Sequence, residues 1–145
     1  LLEKKPKVKL LIAGEDDEYQ IILERLISKM QLHNSVFLIG KLDNYAKKEV
    51  LAHTSIFALC SHVESFGIVV VEALASGTPV VVSDKTIWRD LEKKKCGIFV
   101  SNKKDLFANG LLLALSSKYS SIDCISYANN YDIERVAKKF INLCK

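Results

Sequence analysis

Short apolar runs alternate with amphipathic stretches along the chain, which is the pattern of βα units that build a parallel sheet. Five apolar runs predict strands at 8–13, 36–40, 56–60, 79–83 and 97–100. Helical patterns occupy 44–53, 105–115 and 133–144. A further helix follows the first strand, where acidic residues suited to a helix N-terminus precede apolar residues at helical spacing: Glu15, Asp16, Asp17 and Glu18, then Ile21, Ile22, Leu26 and Met30.

The segment 66–77 carries conflicting signals. Its β-branched run 68–71 favours a strand on propensity alone. The continuation to Gly77, with Pro79 beyond it, is typical of a helix that ends at a glycine. A strand there would also leave almost no connection between neighbouring parallel strands, which need a crossover of roughly a dozen residues. We therefore predict a helix that starts near Gly67.

The composition is that of one globular domain. The 145 residues are 49% hydrophobic and 26% charged, with only 2 Pro and 6 Gly, which argues against disorder or a repeat array. No linker or composition break divides the chain. We predict a single three-layer α/β/α domain over residues 1–145, with a parallel sheet whose strands are buried on both faces.

Charge and cysteine usage narrow the class of protein. The net charge of +4 comes from scattered lysines without the aromatic-studded basic face of a nucleic-acid-binding protein. We expect these lysines to be solvated, with attraction to anionic lipid or phosphate as the alternative. The cysteines are widely spaced, so we expect reduced, mostly buried thiols and neither a disulfide framework nor a metal cluster; they are Cys60, Cys96, Cys124 and Cys144.

The ends and the hydropathy of the chain carry two further expectations. No apolar run reaches the roughly 18 residues of a membrane span, and the pattern of a signal peptide is missing. The chain opens on Leu1 without an initiator Met, so we expect a portion upstream of it.

Candidate chemistry gathers where the third predicted strand ends. In open α/β sheets, ligands bind beyond the carboxyl ends of the strands, where helix N-termini offer unpaired N–H groups to anions. The amides of Phe66, Gly67 and Ile68 are placed for a phosphate or diphosphate. The sequence contains neither G-x-G-x-x-G nor a Walker lysine motif, which argues against a dehydrogenase or an ATPase.

Two carboxylates bracket this predicted helix start. Glu64 precedes it and Glu72 follows inside an apolar run, at most about 12 Å further along a helix axis. That span is comparable to the span from a sugar across a diphosphate to a ribose, and a carboxylate can accept from two neighbouring hydroxyls. The alternatives are a helix-start acid for Glu64, and for Glu72 a buried acid that caps backbone or pairs with a lysine.

Residues 64–81 carry a longer motif, ESFGIVVVEALASGTPVV. This run closely resembles the E-x7-E motif of the retaining GT-B glycosyltransferases of family 4 (group 1), together with the E-A-x-A-x-G-x-P-V-V run that follows it in that family. The segments 11–14, 36–40 and 96–100 fall in the family's order. Essentially the whole chain is similar to the C-terminal domain of that family, which has a Rossmann-like fold.

The resemblance implies a role for each matching residue. Glu64 would contact the donor sugar as the catalytic acidic residue, and Glu72 would bind the ribose hydroxyls. The other implied donor-binding residues lie around the diphosphate, the sugar and the base: Ser65, Phe66, Gly67, Ile68, Lys41, Leu42 and Gly14.

The resemblance also implies the reaction and its partners. A hexose would pass from a UDP- or GDP-sugar to a glycan or lipid-linked acceptor, with retention at the anomeric carbon and without a metal or other cofactor. An N-terminal acceptor domain absent from this chain would complete the cleft, so we expect the isolated domain to be inactive. The protein would be cytoplasmic or peripheral at the inner face of the membrane.

The chain departs from the family pattern in two places. The family's Arg and Lys near the start of the C-terminal half have no counterpart here, because the chain opens after that point. The loop 83–90 contains no glycine, and Asp90 stands where the family has a Glu. Trp88 in that loop is expected to pack in the core, with a lid over the cleft as the alternative. His62 is open between ligand contact and a hydrogen bond to backbone.

Two other functions remain open for this sequence. One is a non-catalytic nucleotide-binding or interaction module of the same fold. The other is a sugar-nucleotide epimerase, which is disfavoured because that family's histidine and arginine signatures are missing. A second Rossmann-like domain encoded upstream would favour the transferase over the module.

Overall fold

Strands and helices alternate in the computed structural model, which describes residues 1–15 and 18–143. The strands of these residues are β1 (Leu10–Ala13), β2 (Val36–Gly40), β3 (Phe57–Leu59), β4 (Val80–Ser83) and β5 (Gly97–Val100). The helices are α1 (Glu18–Lys29), α2 (Asn44–Ala52), α3 (Ile68–Ala75), α4 (Lys104–Ser116), α5 (Ser121–Ala128) and α6 (Ile133–Leu143), with a 3-10 turn at Asn129–Tyr131. The predicted α/β class with parallel strands is confirmed.

The strands pair in two sheets instead of the single sheet that we predicted. Within the described ranges, β1 pairs with β2, and β3, β4 and β5 pair in that order, all in parallel. The chain divides into two compact units, Leu1–Lys47 and Lys48–Lys145.

The first unit contains the two-stranded sheet. The register pairs Leu10 with Val36 and Ala13 with Gly40, and it shifts between Ile12 and Ala13. The expectation of strands buried on both faces is wrong here, because Leu10 remains 47% exposed.

α1 forms as predicted, and its buried residue is Ile27. The apolar residues whose spacing predicted this helix are exposed: Ile21, Ile22, Leu26 and, just beyond the helix, Met30. Asp16 and Asp17 lie outside the described residues.

The second unit is organised around β4, the central strand of its sheet, which is buried along its whole length. Val80 and Val82 belong to a core cluster with Leu74 of α3 and Cys124 of α5. Val81 belongs to a second cluster on the other face, formed with residues of β5 and α4. Because successive residues of a strand point to opposite faces, these clusters place helices on both sides of the sheet. This unit has the predicted three layers.

α3 is helical although its first residues have a high strand propensity. Val70 and Leu74 are fully buried on one side of it, and tertiary burial outweighs a propensity difference of well under about 1 kcal/mol per residue. Its C-terminus is closed at Gly77, which has φ of 82°. Gly77 N–H donates to the Leu74 carbonyl at 2.9 Å and Thr78 N–H donates to Ala73 at 3.0 Å, which is the Schellman pattern. The predicted helix and its glycine stop are confirmed.

Two features of the second unit were not predicted. α5 was missed, although Ser120 caps its N-terminus by accepting from Asp123 N–H at 3.4 Å. The expectation of mostly buried thiols holds for Cys96 and Cys124, which are free and buried, whereas Cys60 is free and exposed. Cys144 lies outside the described residues.

Within the described ranges, no helix is long and apolar enough to cross a membrane.

The C-terminal stop of α3 should depend on glycine. A Cβ atom at position 77 would lie 2.9 Å from Ser121 Cβ, on a backbone with φ of 82°. We expect Gly77→Ala to lower the free energy of unfolding by about 1–3 kcal/mol, measured by denaturant unfolding. Gly14→Ala is the control, because a Cβ there meets nothing within 4 Å; its effect should stay within about 0.5 kcal/mol. Equal losses in the two variants would contradict the assignment.

Candidate functional site

The candidate site in the second unit starts at the N-terminus of α3. β3 ends at Leu59, and the chain then runs to Gly67, which caps the helix in a left-handed conformation with φ of 72° and ψ of 64°. A Cβ atom at position 67 would lie 3.3 Å from Glu64 Cγ and 3.4 Å from Leu59 Cδ2. The left-handed backbone therefore favours glycine, and a Cβ atom there would crowd the Glu64 side chain.

The first amides of α3 are available to a ligand. The first turn closes with a hydrogen bond from Val70 N–H to the Gly67 carbonyl at 2.8 Å. Gly67 provides no side-chain cap, and the first turn contains no acidic residue. The N–H groups of Ile68 and Val69 precede that first bond, and the helix dipole adds partial positive charge there. The arrangement suits a phosphate or another anion.

The two predicted carboxylates lie on either side of this helix start. Glu64 is half-buried and its side chain packs over Gly67. Glu72 is half-buried within α3, about one helical turn or ~6 Å along the axis from Ile68. Ser65 and Ile68 are exposed, the latter to 70%. The structure thus brings the predicted residues 64–68 together at one helix end, with Glu72 one turn away.

Trp88 lies beneath this loop and not over it. It is 1% exposed, so the packing interpretation is confirmed and the lid interpretation is wrong. Its indole N–H donates to the Phe66 carbonyl at 2.8 Å, and the two ring centroids are 5.3 Å apart. A buried indole N–H needs such a partner. The loop after β4 therefore contacts the candidate site through an aromatic residue.

Asp90 has a structural partner in the same loop. It is half-buried and accepts a hydrogen bond from the Tyr127 hydroxyl, which also lies 3.2 Å from the Tyr131 hydroxyl. Burial raises the pKa of Tyr127, and the hydrogen bond to Asp90 raises it further. The acid at the position of the family's Glu thus holds α5 against the loop.

Polar groups at the ends of the three strands extend the candidate site. Ser83 Oγ donates to the Ser61 carbonyl at 2.8 Å, which joins the ends of β3 and β4. His62 Nδ1 lies 3.3 Å from Asn102 Nδ2, a side-chain contact that neither of the two open interpretations of this residue included. Lys85 Nζ lies 3.7 Å from Asp84 Oδ1. This Oδ1 atom is buried, and it has no hydrogen-bond partner among the described residues. Sequence reasoning missed Asp84 and Asn102, which follow the ends of β4 and β5.

The remaining predicted residues lie in the first unit. Gly14 N–H donates to the Gly40 carbonyl at 3.1 Å. Lys41 forms an exposed ion pair with Glu15, and Leu42 is half-buried. A pocket of about 180 Å³ includes Gly14 in its lining.

A larger pocket of about 340 Å³ lies at the opposite edge of the second unit's sheet. Its lining includes Ile56 and Pro79, which precede β3 and β4. Ligands of open α/β sheets bind at the carboxyl ends of the strands. We therefore assign the site by the α3 N-terminus and not by pocket size.

Parallel strands flanked by helices define an α/β protein, a class in which ligands bind at the carboxyl ends of the strands. The chain belongs to the family glycosyl transferases group 1, which matches residues 1–131. This membership agrees with the resemblance carried by residues 64–81.

Individual relatives agree with this membership. The chain is 26% identical to the O-antigen biosynthesis glycosyltransferase WclY of Escherichia coli over 148 residues, covering 98% of this chain and 40% of WclY. It is 30% identical to a probable sucrose-phosphate synthase of Thermosipho melanesiensis over 145 residues, covering 92% of this chain and 33% of the relative. The chain thus spans well under half the length of these relatives.

Among solved structures, the chain is similar to Anabaena HepE in complex with UDP. The TM-score is 0.79 at 22% identity, over 96% of this chain and 41% of HepE. A likeness at this identity shows the fold, and the predicted GT-B fold class is confirmed.

The Tyr127–Asp90 contact should make the protein sensitive to alkaline pH. Because the pKa of Tyr127 is raised in the folded state, the unfolded chain releases this proton first as pH rises through about 10. The contribution of Tyr127 to the free energy of unfolding is therefore fully present below that pH. It falls above it, by at most about 1.4 kcal/mol per pH unit. Tyr127→Phe should reduce the slope of unfolding free energy between about pH 9 and 11.

The matched control for this experiment is Tyr45→Phe, which removes a hydroxyl from a side chain that is 76% exposed. Its slope should equal that of the wild type. A Tyr127→Phe slope indistinguishable from both would contradict the role of the buried hydroxyl.

Proposed function

We propose that this chain is the donor-binding domain of a retaining glycosyltransferase that moves a hexose from a nucleoside-diphosphate sugar to a glycan or lipid-linked acceptor. The observation that carries this proposal is the N-terminus of α3, where left-handed Gly67 leaves amides open between Glu64 and Glu72. The family membership of residues 1–131 supports the transferase class. A UDP- or GDP-sugar is the proposed donor, and the complex of HepE with UDP supports a nucleotide ligand for this fold.

The site chemistry suits a leaving diphosphate. The amides of Gly67, Ile68 and Val69 would bind the diphosphate oxygens and stabilise the negative charge that grows as the glycosidic bond breaks. Such preorganised donors do not have to reorient during the reaction. In a front-face mechanism with retention, the leaving diphosphate would take the proton of the acceptor hydroxyl, and no active-site metal would be needed.

The two carboxylates would bind opposite ends of the donor. Glu64 packs against Gly67 and lies next to the proposed diphosphate position, where its oxygens would accept from sugar hydroxyls. Glu72 lies one turn into the helix and would accept from the ribose hydroxyls. Ser65 and Phe66 would line the sugar and diphosphate. The family resemblance also implies donor-binding roles for Gly14, Lys41 and Leu42 of the first unit, and these roles stay predictions.

A separate N-terminal domain would bind the acceptor. The name of WclY, an O-antigen biosynthesis glycosyltransferase, supports a glycan acceptor in polysaccharide or lipopolysaccharide synthesis. That domain would close the cleft over the donor, so the chain alone would bind nucleotide without turning over. We propose a cytoplasmic location, with peripheral contact at the inner face of the membrane when the acceptor is a lipid.

Nucleotide binding to the chain tests the donor site. We expect calorimetry with UDP, GDP and ADP to show one preferred nucleotide, and Glu72→Gln to weaken its binding about tenfold, because a charged acceptor for the ribose hydroxyls is lost. Glu49→Gln, an exposed position on α2, is the matched control and should bind as the wild type does. Failure of all three nucleotides at millimolar concentration would argue against the proposal.

Turnover by the full-length protein tests the role of Glu64. We expect Glu64→Gln to lower kcat roughly 100-fold with a small change in the KM for the donor, because contacts made chiefly in the transition state affect kcat. Equal losses in kcat and nucleotide affinity would contradict this role. Tight nucleotide binding without transfer to any glycan or lipid-linked acceptor would favour the non-catalytic module instead.

A further inference from the structure

Trp88 is buried in a loop whose neighbouring residues are exposed. It lies between β4 and β5 and is 1% exposed, whereas Ile87 is 53% exposed and Arg89 is exposed as well. Its ring packs against those of Phe66 and Tyr131, with centroids at 5.3 Å and 4.8 Å. The indole is therefore held in a single position by its surroundings.

The indole N–H of Trp88 fixes the orientation of one peptide group. It donates to the Phe66 carbonyl at 2.8 Å, and the described residues contain no cis peptide bond. In a planar trans peptide the carbonyl and the following N–H point in opposite directions. Since the Phe66 carbonyl points at the buried indole, the Gly67 N–H must point away from it. No acceptor for that N–H is found among the described residues.

Gly67 is buried, and within the described ranges the bond from Trp88 is the one hydrogen bond found for this peptide group. A glycine populates positive and negative φ about equally, so the peptide preceding Gly67 can rotate between two orientations at small cost. In the flipped orientation a carbonyl oxygen would replace the N–H on the ligand side. A carbonyl there would repel an anion, whereas the N–H would bind it.

We infer that Trp88 is a positioning residue for the candidate donor site, which holds the Phe66–Gly67 peptide so that the Gly67 N–H faces the diphosphate. This inference rests on the proposed function, because it assigns the diphosphate as the ligand. Trp88 touches no ligand itself. It acts through the Phe66 carbonyl, and the aromatic residues around it keep the indole in place.

The test compares ligands with and without the diphosphate. Trp88→Phe keeps an aromatic ring in the cluster and removes the N–H. We expect its affinity for the preferred nucleoside diphosphate to fall about tenfold, while its affinity for the matching nucleoside stays that of the wild type. Tyr131→Phe is the matched control, because it removes a hydroxyl from a ring that touches Trp88 and makes no hydrogen bond to Phe66. It should bind both ligands normally.

Several outcomes would overturn the inference. An unchanged affinity of Trp88→Phe for the nucleoside diphosphate would do so. Equal losses of affinity for the nucleoside and the nucleoside diphosphate would also do so, because they would show that Trp88 only packs in the core. If the wild type binds a diphosphate and Trp88→Phe binds it equally well, the proposed function survives and the inference fails. If the wild type binds no nucleotide, both fail.

A measurement on the wild type covers the case in which Trp88→Phe does not fold. The chain has a single Trp, so its NMR spectrum contains one indole N–H resonance from the folded protein. We expect this resonance to shift, and its hydrogen exchange to slow, when the nucleoside diphosphate binds, and to remain unchanged with the nucleoside. No response to a diphosphate that binds would overturn the inference.

Discussion

Burial of β4 on both faces is the constraint on which the second unit depends. Val80, Val81 and Val82 are completely buried and divide the core into two clusters. Because the two flanking strands pair with β4 in parallel, their carboxyl ends reach the same edge. The loops that leave this edge carry Glu64, Trp88 and Asn102, so packing at β4 brings separate parts of the sequence together at the candidate site.

Both ends of α3 have a left-handed glycine, but the two glycines have different effects on the backbone groups at the helix ends. At Gly77 the left-handed turn satisfies the last carbonyls of the helix, through bonds from the next amides. At Gly67 the left-handed turn directs the chain into the helix while the first amides stay open. Stability thus comes from the C-terminal end and from the buried face, which leaves the N-terminal end available for binding.

Much of this architecture could be predicted from the sequence, because its signals were local. The runs 36–40 and 97–100 matched β2 and β5, and the glycine at 77 with the short connections revealed α3 in spite of its valines. α5 was missed because it is only 8 residues long, too short for its buried residues Cys124, Tyr127 and Ala128 to make a repeated helical pattern. The exposure of Leu10 could not be read from composition, since an apolar strand carries no signal for which neighbour covers it.

The carboxylates and the glycine of the candidate site could be predicted from the sequence, whereas the contacts that hold the Gly67 turn could not. Glu64, Gly67 and Glu72 lie in one contiguous motif, so their spacing alone placed them on one helix start. The bond between Trp88 and Phe66 joins positions 22 residues apart, and such pairings depend on how β4 and α3 pack. The burial of Asp84 Oδ1 likewise depends on tertiary packing and has no local signal in the sequence.

The loop after β4 shows how a departure from the family pattern can be compensated. The family resemblance implies small residues in this loop, whereas this chain has no glycine there and carries Trp88 and Asp90 instead. Both large side chains point into the protein, since Trp88 is buried against Phe66 and Asp90 accepts from Tyr127. The loop therefore contacts the Gly67 turn through the Trp88 indole, and the amides proposed to bind the diphosphate belong to the Gly67 turn and the first residues of α3. If the proposed donor site is correct, a chain without glycine in this loop relies on the orientation of the Phe66–Gly67 peptide, whose carbonyl accepts from the buried indole.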